Sequence, residues 1–339
     1  ALWSAMTVAS GLAKNFTHLE LARIGVGIGE AAGTPPAHSL IADYFPPERR
    51  APALAIYSAG VFDGAALAYL GGGYLREFFD WRTAFIILGL PGLLFALVVR
   101  FTVREPPRGL SEGARPEEKE VAFKETLRHL LGSRSWVYLL AGSSFLSITG
   151  YGVLMWGFEF LGRVHNMNPV NIGQWMALIV GGGGALGTYV GGRLTDRWIG
   201  TEPARAISLP ALATVACVPF GLVFLLTDNQ WLALASFFPF YLLLNIYIPM
   251  MYSVNQSLAK LKMRATASAI VLFVINIVGA GLGPFLVGAL SDAFSATHGE
   301  LSIRYALVVA TLATVVGYCC FYLSSRHFER DLSRNRLSL

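Results

Sequence analysis

Runs of about twenty apolar residues recur along nearly the whole chain, the length an α-helix needs to cross the hydrocarbon core of a bilayer. Ten are expected as spans, at roughly 1–14, 18–42, 52–75, 83–103, 136–161, 170–190, 206–226, 231–257, 265–290 and 303–325. In lipid every backbone amide must be satisfied within its own segment, so such runs fold as helices. The expected class is an all-α, polytopic membrane protein. Composition agrees: 54% of the 339 residues are hydrophobic and 14% charged, against about 25% charged in a soluble domain, and the mean hydropathy is +0.54.

The net charge of +5 does not point to nucleic acid, because the Lys and Arg residues sit in short links between apolar runs and not on one folded face. Their distribution orients the chain instead. One side of the ten spans holds only Lys14, Arg76, Arg82, Arg163 and Arg304; Arg23 lies inside a span, and all other Lys and Arg residues fall on the opposite side. By the positive-inside rule the second side is cytoplasmic and includes the C-terminus. Four segments follow: an N-terminal half over 1–103, a cytoplasmic linker over 104–135, a C-terminal half over 136–325 and a cytoplasmic tail over 326–339. In the linker, Phe123, Leu127, Leu130 and Leu131 recur at helical spacing among Lys124, Glu125, Arg128 and His129. That pattern suits an amphipathic helix on the membrane surface or a solvated connector.

The charges within the second span are the first functional candidates. Charges at membrane depth are costly unless they face a protein interior or a water-filled cavity. Arg23 and Glu30 are seven residues apart, so they share a helix face about 10 Å apart along the axis, and Gly27 and Thr34 continue the stripe. Glycines at 25, 27, 29 and 33 allow close approach of neighbouring helices. The alternative is a structural ion pair between helices. Asp63, interrupting the third span, faces the cavity or packs against a hydroxyl. Pro35–Pro36 breaks the helix below Glu30, and His38 beyond it is a packing residue or a minor proton handler.

The two halves repeat. Arg50-Ala51-Pro52-Ala53-Leu54-Ala55-Ile56 matches Arg264-Ala265-Thr266-Ala267-Ser268-Ala269-Ile270, each at the cytoplasmic start of a span. Those spans end in Gly73-Tyr74-Leu75 and Gly288-Ala289-Leu290, and the next begin Arg82-Thr83-Ala84-Phe85 and Arg304-Tyr305-Ala306-Leu307. Parallel six-span repeats joined by a long cytoplasmic link are the build of the major facilitator superfamily. Six spans follow the link and four precede it, so two N-terminal helices are expected to be missing from this chain. Between the sixth and seventh spans, Gly192-Arg193-Leu194-Thr195-Asp196-Arg197-Trp198-Ile199-Gly200 resembles the superfamily's loop motif, with the second glycine one residue late. Gly192, Asp196 and Arg197 would form a cytoplasmic latch that breaks as the halves rock. Arg23-x-Gly25-x-Gly27-x-Gly29 resembles the superfamily's fourth-helix signature.

A narrower resemblance covers the first third of the chain. Gly25-Val26-Gly27-Ile28-Gly29-Glu30-Ala31, then Leu40-Ile41-Ala42-Asp43-Tyr44-Phe45, then Val103-Arg104-Glu105-Pro106-Pro107-Arg108-Gly109 together resemble the Spinster family, in a bacterial member. The resemblance implies a secondary active transporter moving lysophospholipid- or sphingosine-phosphate-like amphiphiles by alternating access, driven by a proton gradient and using no bound cofactor. It also implies that Arg23 couples protonation to substrate binding, while Glu30 lines the cavity or shares the proton, with an acidic partner in the missing first helix. The partners would be the lipid substrate, protons and membrane lipids, with no nucleic acid, in a monomer of the bacterial inner membrane. A superfamily exporter of drugs or small polar solutes is the alternative.

Weaker candidates lie in the second half. Tyr151, between Gly150 and Gly152 where the helix is free to bend, Glu159, Asn245 and Asn276 are candidates for a gate or for headgroup contacts. Glu159 alternatively is a simple interfacial carboxylate, and interhelical hydrogen bonds account equally for Asn245, Asn255, Gln256 and Asn276. Trp3, Trp81, Trp136, Trp175 and Trp231 fall near span ends, as aromatic belts do. Cys217, Cys319 and Cys320 lie in apolar runs and are read as packing residues. No nucleophile with a neighbouring base, metal-ligand spacing or phosphate-cradling loop marks an enzyme.

Overall fold

The computed structural model describes residues 1–31, 33, 37, 40–41, 44–45, 47–103 and 122–336. Among the described residues there is no β-strand, and helices account for nearly all of them. The chain forms two compact units, one of Ala1–Glu118 with Pro169–Gln174 and one of Lys119–Asn168 with Trp175–Leu339.

The first unit holds α1 (Leu2–Gly11), α2 (Phe16–Ala31), α3 (Pro47–Phe78) and α4 (Trp81–Thr102). Helix α4 starts on a capping residue: the Asp80 carboxylate accepts the Thr83 backbone N–H at 2.7 Å, satisfying a donor that a helix start leaves open. That bond, with the help of the Thr83 side chain and Arg82, holds the carboxyl below its ordinary range. Arg82 reaches back so that Nη2 donates to the Ala13 carbonyl at 3.2 Å, tying α4 to the end of α1. The glycines at 25 and 29 in α2, and Gly33 beyond it, act as expected. A Cβ at Gly25 would lie 2.7 Å from Met6, one at Gly29 2.6 Å from the Trp3 nitrogen, and one at Gly33 3.2 Å from the Trp3 ring, whereas nothing lies within 4 Å of Gly27.

The second unit holds α5 (Phe123–Leu131) and α6 (Arg134–His165). Helix α7 (Pro169–Met176), whose first turns cluster with the first unit, continues through a π-helical segment, Ala177–Gly183, into α8 (Gly184–Ile199). Helices α9 (Pro203–Leu226), α10 (Gln230–Asn245) and α11 (Tyr247–Leu258) follow. Then α12 (Arg264–Ile275) passes through a second π-helical segment, Asn276–Leu282, into α13 (Gly283–His298), and α14 (Ser302–Arg336) closes the chain. Every expected span from 83–103 onward falls on one helical stretch, as do 1–14 and 52–75; of 18–42, the part through Ala31 is helical. Among the described residues five stretches are long and apolar enough to cross a membrane by length and composition alone: Trp81–Thr102, Arg134–His165, Pro203–Leu226, Gln230–Leu258 and Arg264–Arg334.

Small residues let the second unit pack closely, the usual means of association where lipid removes the hydrophobic drive. Along the α6–α14 seam a Cβ at Gly142 would lie 2.6 Å from the Phe321 ring. The Ser135 hydroxyl donates to the Ser324 carbonyl at 3.0 Å, and the Ser324 hydroxyl donates back to Ser135 at 2.8 Å. Gly187 and Gly191 of α8 bring that helix against the carbonyls of Leu242 and Ile246. Phe160, Phe224, Phe237 and Phe240 are wholly buried, with Phe224 and Phe237 stacked at 4.2 Å between ring centroids.

Three sequence expectations need correction. Trp136 does not belong to an interfacial belt: it is wholly buried, and its indole N–H donates to Asn255 Oδ1 at 2.8 Å. Cys217 is buried as expected of a packing residue, but Cys319 is exposed. The stretch Gly192–Ile199 is not a loop but the last two turns of α8, capped by Gly200, because no breaker precedes that glycine and Pro203 opens the next helix.

Candidate functional site

In the first unit, the cationic candidate sits beside an aromatic ring. Continuous helix from Phe16 to Ala31 keeps Arg23 and Glu30 on one face, and both are exposed. The Arg23 guanidinium carbon lies 5.8 Å from the centroid of the Phe85 ring on α4, within the range of a cation–π attraction. Phe85 is itself held edge-on by Trp81 at 6.2 Å. Asp63 on α3 is exposed. Thr34 and His38 lie outside the described residues.

In the second unit, the polar candidates separate into those that join helices and those that do not. The Tyr151 hydroxyl of α6 donates to Asn276 Oδ1 at 3.0 Å, and Asn276 Nδ2 donates to the Leu272 carbonyl one turn back at 2.8 Å. Asn276 opens the second π-helical segment, and Gly279 within it lies so close to α6 that a Cβ there would be 2.7 Å from both Ser147 and the Tyr151 ring. Widened turns of this kind are frequent at functional sites. Asn245, by contrast, donates to the Tyr241 carbonyl of its own helix at 2.7 Å. Asn255 and Gln256 both donate to the Ser268 hydroxyl, at 3.3 and 2.9 Å. Glu159 pairs with Arg163 one turn along at 3.0 Å, an arrangement that fits an interfacial carboxylate.

Asp196 and Arg197 are exposed and Gly192 half-buried. The Arg197 guanidinium lies over Trp198 at 5.2 Å, and Arg193, Leu194, Asp196 and Arg197 line a cavity of about 520 Å³.

Sequence reasoning missed two features. Neither π-helical segment was anticipated, although both are glycine-rich. The other is a contact within the first unit between α3 and the start of α7. A Cβ at Gly73 would lie 2.6 Å from the Pro169 carbonyl, and one at Gly173 2.5 Å from the Tyr69 carbonyl. Beside them Gln174 Nε2 donates to the Tyr74 hydroxyl at 3.2 Å. The Gly71-Gly72-Gly73 run and Gly173 were the available signal.

Residues 1–284 match the family model of the Major Facilitator Superfamily. The chain is 31% identical over 334 residues to an MFS-type efflux pump of Mycolicibacterium smegmatis, covering 98% of this chain and 76% of the pump. It is 26% identical over 361 residues to the protein spinster homolog 1 of Xenopus tropicalis, covering 99% of this chain and 68% of that protein. The crystal structure of a bacterial homologue of the human lysosomal transporter Spinster, inward-facing and unoccupied, superposes with a TM-score of 0.87 at 30% identity, over 97% of this chain and 82% of that one. The chain therefore belongs to the Major Facilitator Superfamily. Within it the chain is a membrane transporter of the Spinster type and not an enzyme.

Proposed function

We propose that this transporter moves lipid-like amphiphiles, lysophospholipids or sphingosine phosphates in chemical class, by proton-coupled alternating access. The observation that carries the reading is Arg23: a guanidinium on a membrane helix beside the Phe85 ring. Such a pairing offers a phosphate a charge-assisted partner and offers the adjoining chain an aromatic surface. Glu30 shares its helix face and would carry the proton. Asp63 and Thr34 would complete the cavity on this side. In the second unit, Tyr151 and Asn276 would present a hydroxyl and an amide to the headgroup, and Gly192, Asp196 and Arg197 would latch the cytoplasmic side. The transporter would act as a monomer in a bacterial plasma membrane with its C-terminus in the cytoplasm, powered by the proton gradient and without a cofactor. The linker from 104 to 135 would join N- and C-terminal halves at 1–103 and 136–325.

Export of drugs is the second reading, favoured by the similarity to an efflux pump. Competition separates the two. Proteoliposomes are loaded with a fluorescent lysophospholipid and, separately, with ethidium. Efflux of the lipid, unaffected by excess ethidium, is the expected result; ethidium efflux that the lipid does not inhibit overturns the amphiphile assignment.

A further inference from the structure

At the end of the second unit that carries most of the basic residues, α5, the turn after α11 and the end of α14 enclose a cavity of about 340 Å³. Arg128 from α5, Lys260 and Arg334 line it, with His129 beside them and Glu125 and Asp331 as its carboxylates. Among the described residues none of the three cations makes an ion pair. Asp331 is committed elsewhere. Its Oδ2 accepts the Ser133 hydroxyl and the Ser135 backbone N–H, both at 2.8 Å, and so turns its charge toward the start of α6, where a helix is electropositive. His129 Nε2 lies 3.3 Å from the Leu258 carbonyl, holding α5 to the end of α11. The cavity is thus a fixed polar recess with cations on three separate elements.

Helix α5 says where this recess lies. Thr126 and Leu130 on one flank are wholly buried, whereas Phe123 and Leu131 on the adjoining apolar flank are 61% and 56% exposed. Arg128, Glu125 and His129 occupy the arc that begins beside Leu131. Exposed apolar residues next to a cationic arc are the pattern of a helix lying in the headgroup layer, and cations at that level attract anionic lipids. We propose that this cavity binds the phosphate of an anionic phospholipid, with Arg128, Lys260 and Arg334 as its donors. The site is separate from Arg23 and does not depend on which solute is transported.

Native mass spectrometry of the full-length transporter in a neutral detergent tests the site by binding alone. Phosphatidylglycerol and phosphatidylcholine of the same acyl chains are titrated against the wild type, an Arg128→Gln/Lys260→Gln variant, and a Lys14→Gln/Arg163→Gln variant that removes equal charge elsewhere. Expected is a phosphatidylglycerol preference that falls by about fivefold per cation removed in the first variant and persists in the second. Equal preference in wild type and the first variant, or an equal fall in both variants, overturns the site. Inorganic phosphate is then added to the wild type: displacement of phosphatidylglycerol at low millimolar concentration would overturn the lipid assignment in favour of a free anion, and retention upholds it.

Discussion

The Tyr151 hydroxyl donates to Asn276 Oδ1 at 3.0 Å and so joins the middle of α6 to the π-helical turn that begins at Asn276. A net hydrogen bond of this kind is worth about 1 kcal/mol, or about fivefold in an equilibrium. Tyr151→Phe is expected to lower transport by about that factor, with stability falling by no more than about 1 kcal/mol. The Tyr151→Phe/Asn276→Ala double variant should be no worse than the poorer single, because both remove the same bond. Initial-rate transport across the four proteins reads this directly, and independent, multiplying losses would show that the two residues act apart.

Adjacent glycines in α3 make a second test. Nothing lies within 4 Å of a Cβ at Gly72, whereas one at Gly73 would strike the Pro169 carbonyl at 2.6 Å. Gly72→Ala should leave transport intact and raise stability slightly, since Ala is favoured over Gly inside a helix by roughly 0.5–1 kcal/mol. Gly73→Ala and Gly173→Ala should both depress transport, because the opposing atom is backbone and cannot swing aside. A detergent melting curve and a transport rate for each variant decide it; equal effects at 72 and 73 would mean that the close approach has no role.

Asp228 and Arg304 pair at 2.7 Å with very unequal exposure, the Arg304 side chain being 9% and the Asp228 side chain 89% exposed. Hydrogen bonding and charge attraction from Arg304 hold the Asp228 carboxyl below its ordinary value of 3.8. The pair's stabilisation is therefore present above about pH 4 and is lost as pH falls through the lowered value. Removing the acid strands a buried cation, while removing the base leaves a solvated carboxylate. Asp228→Asn should accordingly destabilise more than Arg304→Met, and it should lessen the fall in melting temperature expected below about pH 4 in the wild type. The reverse order of melting temperatures would contradict this reading of the pair.

The architecture was legible because a bilayer fixes helix length, so apolar run length alone placed the spans. Arg23 and Glu30 stood out for the same reason: a charge in such a run is rare enough to notice. What escaped was geometry finer than a run. A π-helical turn changes hydrogen bonding without changing hydropathy, so Ala177–Gly183 and Asn276–Leu282 looked like any other glycine-rich helix. Trp136 was misplaced because its position near a span end suggests an interface, and only the partner Asn255, over a hundred residues on, shows the indole to be buried. The latch motif looked like a loop because charges cluster in links; α8 carries them to Ile199 on its last turns. Asn276 was named as a candidate, but its partner Tyr151 was suggested only by flanking glycines.

On the proposed function, Arg23 couples protons to the movement of a phosphate-bearing amphiphile. Lysophospholipid flux into proteoliposomes is measured with and without an inward-acid gradient, for the wild type and for Arg23→Ala, with insertion verified for both. Flux is expected to rise at least about tenfold with the gradient in the wild type, the effect of roughly 1.4 kcal/mol, and to show no response to the gradient in the variant. Gradient-driven flux of normal size in Arg23→Ala would contradict it.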